Sequence, residues 1–115
     1  MQNYDVEFYE QENGKIPMVE FLNSLDINMK SKVIHTISLL QDYGNELREP
    51  YTKYIKDGIF EFRVKQGSNI TRSFYFFITG KKIIMTNGFV KKTSKTPQNE
   101  FEKAKKYKKS YENRY

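Results

Sequence analysis

Apolar and polar residues alternate weakly over Val6-Glu7-Phe8-Tyr9-Glu10, which is the period of a β-strand. Asn13-Gly14 follows as a turn. Pro17 suits the first turn of a short helix whose apolar side is Phe21, Leu22 and Leu25. From about Asn28 to Tyr43 the period lengthens. Met29, Val33, Ile37 and Leu40 lie at spacings of 4, 4 and 3, one face of a longer helix, and Gly44 suits a left-handed stop. Residues 45–58 show no periodicity and carry Arg48-Glu49-Pro50 and Asp57-Gly58, so they read as a loop. The period then becomes two. Phe60, Phe62 and Val64 alternate with Glu61, Arg63 and Lys65, giving a strand with one apolar and one charged face. Gly67-Ser68-Asn69 is a turn. Ile70 to Thr79 is a second strand, and its aromatic run implies burial on both faces. Gly80-Lys81 turns the chain into a third strand, Lys82 to Val90, with Gly88 as a bulge or kink. Thr96-Pro97 opens a last helix, with Thr96 capping and Pro97 at the first position.

The order is strand, two helices, a three-strand meander and a final helix. Such segregation predicts an α+β fold with a small, mainly antiparallel twisted sheet, two helices packed on one face and a C-terminal helix. The 115 residues form one domain, 1–115, with no repeat or linker. Two helices on one side leave the other sheet face open as a basic platform for a polyanion.

Composition narrows the classes. There is no cysteine, hence no disulfide framework or thiolate metal site, and one histidine excludes a multi-His metal site within a single chain. No cofactor or metal is expected. The amino terminus lacks the pattern of a signal peptide, and Phe74 to Ile78 is too short to span a bilayer. A soluble cytoplasmic protein is expected. The net charge is +6, and its placement matters more than its size. Residues 1–90 hold 11 Lys/Arg and 11 Asp/Glu, whereas residues 91–115 hold 9 and 3. The excess therefore lies in the last 25 residues, which suggests a nucleic acid, an acidic protein or an anionic surface as partner. The alternative is a solvated terminal helix whose stripe of Phe101, Ala104, Tyr107 and Tyr111 docks onto the core.

Few residues outside the meander suggest chemistry. His35 lies almost opposite Val33 and Ile37 on the long helix, so it faces solvent. Within the meander, a hairpin turning at 67–69 lets Arg63 and Arg72 approach each other, and Lys91 and Lys92 end the neighbouring strand. Cations this close favour an anion between them. The other reading is ion pairing of Arg63 with Glu61 or another acid and of Arg72 at the edge of the core. A cation cluster of this kind suits attack on an RNA phosphodiester by the 2′-hydroxyl. Guanidinium groups, planar and bidentate toward phosphate, stabilise the charged transition state. A lysine acts as base only where burial or neighbouring cations favour its neutral form, and Lys91, beside Lys92 and near Arg63, is the candidate. Tyr54 or Tyr75 could stack on splayed bases.

These segments resemble RelE/HigB-type toxins of the phage-related branch. The resemblance is carried by Asp57-Gly58-Ile59-Phe60-Glu61-Phe62-Arg63, then Arg72 to Phe77, Gly80 to Ile84, Gly88-Phe89-Val90-Lys91-Lys92-Thr93 and Lys95-Thr96-Pro97. Pro17 to Leu25 and Leu47 to Pro50 extend it over nearly the whole chain. The resemblance implies a toxin of a type II toxin–antitoxin pair, an mRNA endoribonuclease that cuts at the ribosomal decoding site without a metal and inhibits translation. Its expected partners are mRNA, the ribosome and a cognate antitoxin, often a small helix-turn-helix protein. Carried over, Arg63 and Arg72 are the catalytic phosphate-stabilising arginines and Lys91 a further cation or the base. Lys53, Tyr54, Lys65, Asn87, Lys92 and Lys95 are expected RNA contacts. Asn87 and Tyr54 stand where some relatives carry His, so the general base stays open, and a non-catalytic RNA- or ribosome-binding protein of the same fold is the alternative. DNA binding ranks last, because no recognition helix is evident.

Overall fold

The computed structural model describes residues 3–91 and 97–115. Among them are five strands and three helices, with β1 at Asp5–Phe8, α1 at Pro17–Asn23 and α2 at Ile27–Tyr43. There follow β2 at Thr52–Lys56, β3 at Ile59–Gln66, β4 at Asn69–Ile78, β5 at Lys82–Val90 and α3 at Gln98–Arg114. One five-stranded sheet runs in the order β1-β5-β4-β3-β2. Only β1, which pairs with β5, is parallel to its neighbour. The expected α+β fold with two helices on one face and a C-terminal helix is what forms.

Local chemistry sets the element ends. Asp26 caps α2, accepting from the Met29 amide at 2.9 Å, so the helix begins one residue earlier than its apolar spacing predicts. Gly44 ends it at φ +50, where a Cβ would overlap the Tyr4 ring. Pro97 is the N-cap of α3 rather than its first helical residue, and the expected cap Thr96 lies outside the described residues.

Two corrections concern the sheet. Residues 45–58 are not all loop, because Thr52–Lys56 pairs antiparallel with β3 as an edge strand. Lys53 and Tyr54 are both exposed, so no alternation marks the strand, and backbone pairing with β3 makes it. The second sheet face is not open. Met18, Leu22, Val33 and Leu40 of α1 and α2 pack on Phe62, Val64, Tyr75, Ile83 and Met85. On the opposite face, Phe101 and Ala104 of α3 pack on Ile59 and Phe74, while Tyr107 and Tyr111 pack near Tyr9, Phe76 and Ile84. The aromatic stripe of the last helix is therefore a docking stripe, and the run in β4 is buried on both sides as expected. Among the described residues no helix is long and apolar enough to cross a membrane.

A bulge in β5 matters for the site. Ser73 pairs with Gly88 and Tyr75 with Met85, so Thr86 and Asn87 together oppose Phe74. Strand alternation flips at this point. Met85 faces α1 and α2, whereas Phe89, four residues on, packs with α3. Gly88 follows the bulge, and the Phe21 ring fills the space a Cβ would need.

Candidate functional site

The hairpin of β3 and β4 pairs Arg63 directly with Arg72, because the turn is only Gly67-Ser68 and Asn69 already pairs with Gln66, whereas the expected turn over 67–69 would have set Arg63 opposite Ser73. Lys91 continues the β5 ladder, its amide donating to the Ile70 carbonyl at 2.7 Å. Because the bulge has flipped the alternation, Lys91 arrives beside the arginines rather than on the opposite face. The Pro50-Tyr51 segment closes the other side, with the Tyr51 carbonyl accepting from the Arg63 amide at 2.7 Å. The result is a cleft of about 340 Å³ lined by Lys32, Tyr51, Arg63, Lys65, Arg72 and Lys91 among others. The three expected catalytic residues and Lys65 are thus brought together.

The arginines share a carboxylate. Arg63 Nε donates to Glu61 Oε1 at 2.9 Å, and Arg72 Nη1 lies 3.2 Å from both Glu61 oxygens. The side chain of Glu61 is fully buried, Arg72 is 5% exposed and Arg63 is 23% exposed. A carboxylate removed from water this completely needs paired charge, and the two guanidiniums supply it. The ion pairing anticipated for Arg63 is therefore present, and both arginines still line the cleft. A second carboxylate, Glu49, reaches Arg63 Nη1 at 3.7 Å from a solvent-exposed position.

The remaining expected contacts divide. Lys53 and Tyr54 line a neighbouring cleft of about 250 Å³ with Arg48 and Phe60. Tyr54 is 53% exposed, sets its ring edge-on to Phe60 at 5.0 Å and accepts from the Gly58 amide at 3.1 Å. Tyr75 is 1% exposed, so its ring is not available for stacking on a base. Burial pushes its hydroxyl up to about 12, against the lowering effect of a hydrogen bond with Thr52. Asn87 does not line the cleft. It sits in the bulge under α3, its amide donating to the Glu100 carbonyl at 3.2 Å and to the Glu100 carboxylate at 3.3 Å. Lys92 and Lys95 lie outside the described residues. His35 is exposed on α2 and does not line the cleft.

Lys32, Tyr51 and the double pairing of Glu61 were not legible as parts of one site. Lys32 comes from a helix remote in sequence. For Glu61 the signal was its spacing of two from Arg63, which puts both on one strand face. The pairing with Arg72 required the hairpin register.

Comparison with known proteins adds one finding. The family model described as phage-derived protein Gp49-like (DUF891) matches residues 20–109, a span that includes every cleft residue named above. No curated protein matches the chain.

Proposed function

Since the chain belongs to the Gp49-like family of phage-derived proteins, a RelE/ParE-like toxin-type family, we propose that it is the toxin of a type II toxin–antitoxin pair. In this reading it is a metal-independent endoribonuclease that cuts mRNA on the ribosome and so stops translation. The observation that carries the reading is the pair of facing arginines in a cleft that also gathers Lys65 and Lys91.

The proposed chemistry is transesterification. The 2′-oxygen loses its proton to a base and bonds to phosphorus, and the 5′-oxygen leaves and takes up a proton. A 2′,3′-cyclic phosphate remains. Arg63 and Arg72 bind the non-bridging oxygens and stabilise the added charge, which guanidiniums do well as permanently charged planar forks. Lys91 and Lys65 raise the local potential, and Lys91 is the candidate base. Tyr54 and Lys53, both in the adjacent cleft, hold the RNA on one side of the reacting phosphate. Tail lysines of α3 add affinity for ribosomal RNA. The proposed partner in the cell is a small helix-turn-helix antitoxin, and the site of action is the translating ribosome in the cytoplasm.

The second reading is a non-catalytic binder of RNA or ribosomes, favoured by the absence of an imidazole from the cleft, since His35, the single histidine, does not line it. One experiment separates them. Wild type and the Arg63→Ala, Arg72→Ala and Lys91→Ala variants are induced in a bacterium, and mRNA 5′ ends are mapped. Growth arrest with new ends inside translated frames, lost in the variants, is expected. Arrest without new ends would sink the nuclease and favour the binder.

A further inference from the structure

A carboxylate beside a phosphate site is unfavourable unless it does something for the site, because it repels the ligand that the cations attract. Glu61 is placed to avoid that repulsion. It is fully buried on the α3 side of β3, opposite Phe74, and does not line the cleft, whereas both arginines do. The same two arginines that line the cleft hold the carboxylate. Arg63 presents Nε to Glu61, and its Nη1 is 3.7 Å from exposed Glu49, which lines the neighbouring cleft. Arg72 is engaged through Nη1.

Two facing arginines repel each other, and each is a long side chain with several rotatable bonds. A single carboxylate bonded to both offsets the repulsion and fixes both before any substrate arrives. Reaction rates respond steeply to such fixation, since a misplacement of about 1 Å can cost on the order of a hundredfold. We propose that Glu61 is a positioning residue, a buried clamp that sets the two guanidiniums at the spacing and orientation that receive a phosphodiester. This rests on the ribonuclease reading for its consequence, but the clamp itself is a statement about side-chain geometry. The charge still favours RNA, because Glu61 and Glu49 together offset at most the two arginines while Lys32, Lys65 and Lys91 remain.

Glu61→Gln keeps the volume and one acceptor but removes the charge. Glu61→Asp keeps the charge but withdraws it by one methylene. Both are purified, checked for folding by circular dichroism, and assayed for ribosome-dependent mRNA cleavage under single-turnover and saturating conditions. The side-chain Nε–H signals of Arg63 and Arg72 are followed by nitrogen-15 NMR. The expected result is a tenfold or greater fall in kcat for both variants, with KM within about twofold of wild type, and loss of the exchange-protected Arg63 Nε–H signal in Glu61→Gln. A residue needed only for folding would lower the melting temperature and leave kcat of the folded protein intact, and that outcome overturns the proposal. If Glu61→Gln does not fold, Glu61→Asp carries both measurements. If wild type does not cleave while the arginine signal depends on Glu61, the nuclease reading fails and the clamp stands. An unchanged arginine signal in the folded variants overturns the clamp whatever wild type does.

Discussion

Arg63 and Arg72 hold the same carboxylate from opposite strands, yet their exposures of 23% and 5% give them different consequences when removed. Arg63→Ala leaves Glu61 paired with Arg72 and opens a partly solvated space, so the melting temperature should change little. Its kcat should fall by about two to three orders of magnitude, the usual cost of losing one donor to a developing anion. Arg72→Ala removes the more buried partner of a fully buried carboxylate. It should lose cleavage and also on the order of 3 kcal/mol of stability, read by urea denaturation. Equal stability of the two variants would show that burial does not separate them. Tyr75 offers a check on the core. Its folded-state value of about 12 lies above the ordinary 10, so the neutral hydroxyl is favoured by folding. That stabilisation, roughly 2–3 kcal/mol, is fully present below pH 10 and is lost as the pH rises from 10 toward 12. Tyr75→Phe should flatten this alkaline loss, measured as urea midpoints between pH 9 and 12.

At the scale of elements, α3 decides most. Its inward stripe of Phe101 and Ala104 packs on Ile59 and Phe74, and Phe74 is the β4 residue opposite Glu61. Phe101→Ala should cost roughly 3–5 kcal/mol, the usual range for emptying an aromatic site in a core. Because Phe101 packs on Phe74, the residue opposite Glu61 on β4, the variant should also admit water to the arginine clamp, seen as faster exchange of the Arg63 Nε–H at a temperature where the protein is still folded. The outward lysines are a separate matter. Lys103 pairs with Glu100 and Lys108 with Glu112, whereas Lys106 and Lys109 are exposed. Replacing Lys106 and Lys109 by Gln should weaken RNA or ribosome binding several-fold, reduce its salt dependence and leave kcat unchanged. A fall in kcat would place these lysines in the chemistry rather than in affinity. The bulge of β5 belongs to the same scale. It turns Asn87 under α3 and Lys91 toward the arginines, and neither placement follows from a period of two.

Over the whole molecule, the sheet is a middle layer with a helical pair on one face and a single helix on the other. The catalytic candidates gather at the end of β3 and β4 beside Tyr51, where the short edge strand β2 does not extend. The sequence by itself determined the elements whose signals are local. The 4-4-3 apolar spacing made α2, the alternation from Phe60 to Lys65 made β3, and the glycine turn after Gln66 announced the hairpin that brings Arg63 and Arg72 near each other, though not its exact register. Only the tertiary structure decided what depends on residues far apart in the chain. The stripe of α3 announced docking but not which surface it would cover, since any apolar face satisfies a hydrophobic stripe. Thr52–Lys56 became a strand through backbone pairing that side-chain pattern does not encode. Glu61 read as one charge on a polar face. It became a buried clamp because it ends up fully buried on the α3 side of the sheet, and a carboxylate so enclosed needs the charge of the two arginines that the hairpin register brings to its side.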